Sequence, residues 1–220
     1  MPFAMTHLCI SYNILINTPQ IKKPYDFMIG ALAPDSVHFR HNYNSDMKKK
    51  SHLCVGDEKW GRATNNQEWL ESVLAFLQEN KHMENQDFIY GYCSHIIADI
   101  RNNIKIWTPF RLENIEQLKK DLGSEYHEES YGVDYELYLS SSHQKKIWEI
   151  LENSIGYDIL NIVSADEINE MKHNILYKQF FGRESVDVSL NKYVKFSRMQ
   201  EFISEESQYI KNLLYEKQIK

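Results

Sequence analysis

Residues 88–103, FIYGYCSHIIADIRNN, constrain what this chain can fold into more than any other stretch. They are apolar enough for a protein core, yet they carry His95 and Asp99, four residues apart. On a helix these two side chains project from one face, one turn apart. An unpartnered polar group in an apolar interior costs roughly 1–3 kcal/mol. The pair therefore either satisfies itself and its neighbours by hydrogen bonding or holds a metal ion.

Helical periodicity dominates elsewhere. Residues 5–17 read as a short, mostly buried helix. Residues 66–80 place Trp69, Val73, Phe76 and Leu77 on a 3.6-residue period behind a cap at Asn65 or Asn66. Residues 86–101 form the opening helix, and 112–121 a brief amphipathic one. Residues 131–154 suggest a long helix interrupted at Ser140, Ser141 and Ser142. Residues 165–181 follow Ser164, with Glu167 completing a capping-box pattern, and a last helix falls within 190–216. Gly30 and Pro34 limit regular structure around 25–39, residues 40–64 read as polar and irregular, and Pro109 breaks 106–111 into a connector. No alternating run of strand character appears. The chain is expected to be all-α. Only 8 Gly and 5 Pro occur, with no linker-like run, so residues 1–220 are expected to form one domain.

The formal net charge of −6 argues against nucleic acid and other long polyanions as partners. The lysine clusters at 48–50, 119–120 and 145–146 are short and read as solvated faces. The first residues lack the basic and small-residue features of a secretion signal, and no apolar run approaches the ~18–20 residues that span a bilayer. Cys9, Cys54 and Cys93 are odd in number and widely spaced, which fits reduced thiols and a cytoplasmic protein. Oligomeric state is not legible.

Three further positions stand out by their surroundings. His7 heads an apolar helix, Asp35 follows Pro34 in an apolar segment, and His52 precedes Leu53-Cys54 in a polar stretch. With His95 and Asp99 they supply imidazole and carboxylate ligands of the kind that zinc takes. His127 is a less distinct candidate. His38, His41, His82, His143 and His173 sit in polar surroundings and read as surface residues.

The ordered set Pro2…Thr6-His7, Gly30-Ala31…Pro34-Asp35, Ser51-His52 and Gly91-Tyr92…His95-xxx-Asp99 resembles the zinc-dependent phospholipase C family. That superfamily includes the single-strand-specific zinc nucleases, and the likeness spans about residues 2–103. The resemblance implies a multi-helix bundle and zinc as cofactor. It assigns Asp35, His52, His95 and Asp99 to one ion, and His7 to a second, bridged by Asp99. The second ion would be completed by the amine of a mature N-terminus, which removal of Met1 would place on Pro2. The family's third position takes a histidine where this chain has Lys105. Substitutes for it are sought in His127, Glu129 and Asp134, with Glu128 and Glu136 behind them. One or two ions are expected.

The implied chemistry is hydrolysis of a phosphoester by a zinc-activated water. Asp35 is the candidate catalytic base, and Arg101 and Lys105 are candidates for binding an outer phosphate. The substrate is expected to be a small phosphoester or a phospholipid. The alternative is a non-catalytic helical metal-binding protein with a degenerate site.

Overall fold

The computed structural model describes residues 3–120 and 122–216. Eleven α-helices run through them: α1 (Ala4–Ile16), α2 (Pro24–Gly30), α3 (Ser45–Ser51), α4 (Asn66–Asn80), α5 (Gln86–Asn102), α6 (Thr108–Glu113), α7 (Ile115–Leu118), α8 (Leu122–Ser140), α9 (Gln144–Glu152), α10 (Ala165–Asn174) and α11 (Phe196–Lys211). The pairing of Ile159 with Val163 is an isolated bridge, and no strand forms among the described residues. The architecture is all-α. No helix among the described residues is long and apolar enough to cross a membrane.

Helix α5 is the axis of the bundle. It is buried on every side, from Phe88 through Ile100, so its apolar residues have no solvent face to avoid. Helices α1, α2, α4 and α11 surround it. The α2–α5 contact is a close one, because Gly30 and Gly91 face each other's helix. A Cβ on Gly91 would run into the Phe27 carbonyl, and one on Gly30 into that of Phe88. Glycine at both positions lets backbone meet backbone.

The sequence expectations for α1, α4 and α5 hold within a residue or two. Asn65 caps α4 by accepting from the Glu68 amide at 3.2 Å. The Ser164–Glu167 capping box forms in both directions, and Arg40 clamps Glu167 from outside at 2.6 Å. The break at Ser140–Ser142 separates α8 from α9, although α8 begins earlier than the apolar spacing suggests.

Four expectations change. Residues 25–39 are ordered as α2 followed by a 3₁₀ turn over Ala33–Phe39, with Pro34 in the first turn, where its missing N–H costs nothing. Residues 45–51 are helical rather than irregular. Asn44 accepts from the Asp46 and Met47 amides, and the run Lys48, Lys49, Lys50 meets the negative helix end. Pro109 sits in the first turn of α6 and does not break it, while a π-helical turn over Asn103–Trp107 joins α5 to α6. In place of one helix over 112–121, α6 ends at Glu113 and only the single turn of α7 follows.

Candidate metal centre

Five side chains converge where α1, α3, α5 and the 3₁₀ turn meet. His7 comes from the second turn of α1, Asp35 from the 3₁₀ turn, His52 from the residue that ends α3, and His95 and Asp99 from one face of α5. His7, His52, His95 and Asp99 are at most 2 % exposed. Asp35 is half-buried and reaches a cavity wall.

The separations are short. His52 Nε2 lies 3.2 Å from Asp35 Oδ1 and 3.3 Å from Asp99 Oδ2. His7 Nε2 is 3.4 Å from Asp99 Oδ1, and His95 Nε2 is 3.8 Å from Asp35 Oδ1. The rings of His7 and His95 stack with centroids 3.6 Å apart. Ligand atoms of His7, Asp35 and His95 all fall within 4.8 Å of one another, as do those of His52, His95 and Asp99. A tetrahedron with zinc–ligand bonds of 2.0–2.1 Å has edges of about 3.3 Å. The observed spacings fit that size.

Backbone carbonyls fix which nitrogens face inward. His52 Nδ1 lies 2.9 Å from the Lys48 carbonyl and His95 Nδ1 2.8 Å from the Ala31 carbonyl. A carbonyl only accepts, so Nδ1 carries the hydrogen and Nε2 of each neutral ring presents a lone pair. Burial pushes both rings down to about 4, so they are neutral at pH 7. Lone pairs therefore point at carboxylate oxygens. His52 Nε2, His95 Nε2 and Asp99 Oδ1 lack a hydrogen-bond partner, and Asp35 Oδ1 meets only the Lys48 ammonium. Acceptors gathered in a buried site could hold a cation.

Burial alone would raise Asp35, but the Lys48 ammonium beside it counters burial and holds the carboxyl well below the usual range. Lys48 Nζ is 2.9 Å from Asp35 Oδ1. Asp99, without so close a cation, is raised by its burial. Around the cluster, Trp69 donates to the His52 carbonyl at 2.7 Å and the Tyr92 hydroxyl to the Ser51 carbonyl, pinning the end of α3 against α4 and α5. Leu53 follows with φ of 51°, a left-handed conformation that a branched side chain adopts only under constraint.

The remaining candidates are placed elsewhere. Glu129 accepts from the Lys192, Tyr193 and Val194 amides and is spent on ordering that loop. Asp134 accepts from the Met5 amide at 2.8 Å, capping α1 from α8, and its burial raises it to about 7. His127 faces the cavity beside the Phe3 ring. These three form no ligand group together, and Glu128 and Glu136 join none among the described residues. Arg101 and Lys105 both bind the buried Glu206 on α11, at 2.7 and 2.6 Å. They tie α5 and its π-helical extension to α11 instead of facing the cluster. Pro2, the candidate amine ligand, lies outside the described residues.

Lys48 was missed in the sequence, where its neighbours made it look like part of a solvated run. The signal was its position four residues before His52, which on a helix brings the two to one side. Beside Asp35 and Lys48 opens a cavity of about 660 Å³, lined in part by Tyr43, Trp60, Trp107 and Tyr126. Tyr90 and Tyr92, the other aromatics near the opening helix, are buried in the core.

Comparison of the chain with protein-family models, with curated proteins and with solved structures returns no match.

Proposed function

We propose that this chain is a zinc-dependent phosphoester hydrolase of the kind its sequence resembles, the zinc-dependent phospholipase C family. One observation carries the reading: a buried cluster of three imidazoles and two carboxylates in which His52 Nε2, His95 Nε2 and Asp99 Oδ1 find no hydrogen-bond donor. His52, His95, Asp35 and Asp99 are the residues that would hold one ion, and His7 with Asp99 a second. Zinc bound there would supply an acidified water and positive charge against the phosphoryl oxygens.

The chain's own residues do the rest. The carbonyls of Lys48 and Ala31 hold the His52 and His95 rings in the tautomer that presents Nε2 inward. Asp35, the one carboxylate of the cluster on the cavity wall, would orient or deprotonate an attacking water. Its depressed pKa keeps it ionised, so it would accept a hydrogen bond from that water. The packed α5 side of the cluster excludes solvent, which strengthens every charge interaction inside.

The test is hydrolysis of bis-p-nitrophenyl phosphate by zinc-loaded protein, against the same protein in chelator and against Asp35→Asn. Zinc-dependent turnover that Asp35→Asn lowers by 100-fold or more supports the proposal. A second reading, a non-catalytic metal-binding helical domain, is favoured by one observation: His127, Glu129 and Asp134 make no further ligand group. Bound zinc with no turnover on any phosphoester tested would establish that reading instead.

A further inference from the structure

The cavity beside the cluster has one feature that metal ligation does not use. Lys48 is the only lysine or arginine among the described residues that line it, and Asp35 is the only carboxylate. We infer that Lys48 is the anion anchor of this cavity: its ammonium binds the phosphoryl group of a small phosphoester whose apolar or aromatic part lies against the surrounding rings. The inference rests on the cavity being the substrate site of the proposed hydrolase.

Charge balance carries the first part. Two carboxylates, Asp35 and Asp99, face one ammonium, Lys48, in the buried cluster, and each divalent ion held there would add two positive charges. Once Asp35 lends its charge to a metal, the Lys48 ammonium loses its counter-ion. Its side chain is only 10 % exposed, so water compensates it poorly. An anion entering the cavity restores the balance, and the ammonium is already at the wall to meet it.

The walls carry the second part. Lys48 Nζ lies 5.3 Å from the centroid of the Trp60 ring, which faces the same space. Phe3, Tyr43, Trp107, Tyr126 and Tyr131 complete an aromatic lining. Such a surface favours a flat or apolar substituent and offers a second anion no cation. At about 660 Å³ the cavity suits a small organic phosphate.

The probe is phenylphosphonate, whose carbon–phosphorus bond resists hydrolysis, titrated calorimetrically into zinc-loaded wild type and Lys48→Met, with zinc content measured on the same samples. Lys48→Met is expected to keep its zinc and bind phenylphosphonate at least 10-fold more weakly. In wild type the Lys48 side-chain Nζ resonance is expected to shift along the same saturation curve, a readout independent of how the variant folds. Methylphosphonate is expected to bind at least 5-fold more weakly than phenylphosphonate. Equal binding by both proteins, or a Lys48 resonance unmoved at saturation, would overturn the inference. Zinc content separates it from the proposal beneath it. Phosphonate binding through Lys48 in a zinc-free wild type keeps the anchor and removes the metal. A zinc-loaded protein whose Lys48 does not respond keeps the metal and removes the anchor.

Discussion

Replacing Gly91 with alanine should damage both the fold and the site, because the α2–α5 contact governs both. The added Cβ would overlap the Phe27 carbonyl oxygen and stand 2.9 Å from its carbon, where ordinary contact begins at 3.4 Å. The obstacle is helical backbone, not a movable side chain, so the two helices must part by on the order of 1 Å. Overpacking of this kind costs about 1–3 kcal/mol, and rigid backbone puts the case at the upper end. The separation also stretches the 2.8 Å bond from His95 Nδ1 to the Ala31 carbonyl, worth about 1 kcal/mol more. A loss of about 3–4 kcal/mol corresponds to a fall in Tm of roughly 6–16 °C for a chain of this length. Thermal melts followed by circular dichroism, with chelator and with excess zinc, measure it. The stabilisation by zinc should shrink as well, since Asp35 follows Ala31 in the chain and moves with it. Gly123→Ala is the control, because a Cβ there meets nothing within 4 Å. A Gly91→Ala protein that melts within about 2 °C of wild type, with the full zinc increment, would refute the coupling of helix spacing to the cluster.

Two further outcomes follow from the buried carboxylates. Asp134, raised from 3.8 to about 7 by burial, keeps its proton in the folded chain where the unfolded chain has lost it, so its contribution to stability declines as pH rises from about 4 to 7. Asp134→Asn removes that titration while keeping an acceptor for the Met5 amide. Its stability relative to wild type should climb across this window, by roughly 4 kcal/mol at most, and level off above it; a difference flat from pH 4 to 8 in urea titrations would contradict this. Glu206→Ala strips the carboxylate partner from Arg101 and leaves Lys105 with Glu205 alone; the two cations are 20 % and 27 % exposed and can regain some water. The expected loss is about 2–3 kcal/mol, below the 3–5 kcal/mol of fully buried pairs, with zinc content unchanged. A shift under about 0.5 kcal/mol in the urea midpoint would show the pair to be inert.

Much of this was legible in the residues. Long periodic segments with local caps, such as α4 behind Asn65 and α10 behind Ser164, are decided by neighbours in sequence. So is the face of α5 that carries His95 and Asp99. Helices α2 and α3 were not legible, since each has seven residues and owes its order to packing against other elements. The same limit applies to the site. His7, Asp35 and His52 announced themselves as polar groups in apolar company or as parts of a familiar pattern. Lys48 did not, because only the short helix α3 turns it away from its exposed neighbour Lys50 and towards Asp35. Arg101 and Lys105 looked available until Glu206, about 100 residues later, claimed both. Glu129 likewise serves amides more than 60 positions away. Partners at such distances leave no local trace.

The central proposal is that the cluster of His7, Asp35, His52, His95 and Asp99 holds zinc. Elemental analysis of protein purified without chelator tests it most directly, alongside His52→Ala and His95→Ala prepared identically. One or two equivalents of zinc per wild-type chain, lost in both variants while the helices persist, is the predicted result. A wild-type protein that is fully helical, carries no metal and takes up none on dialysis against zinc would contradict it.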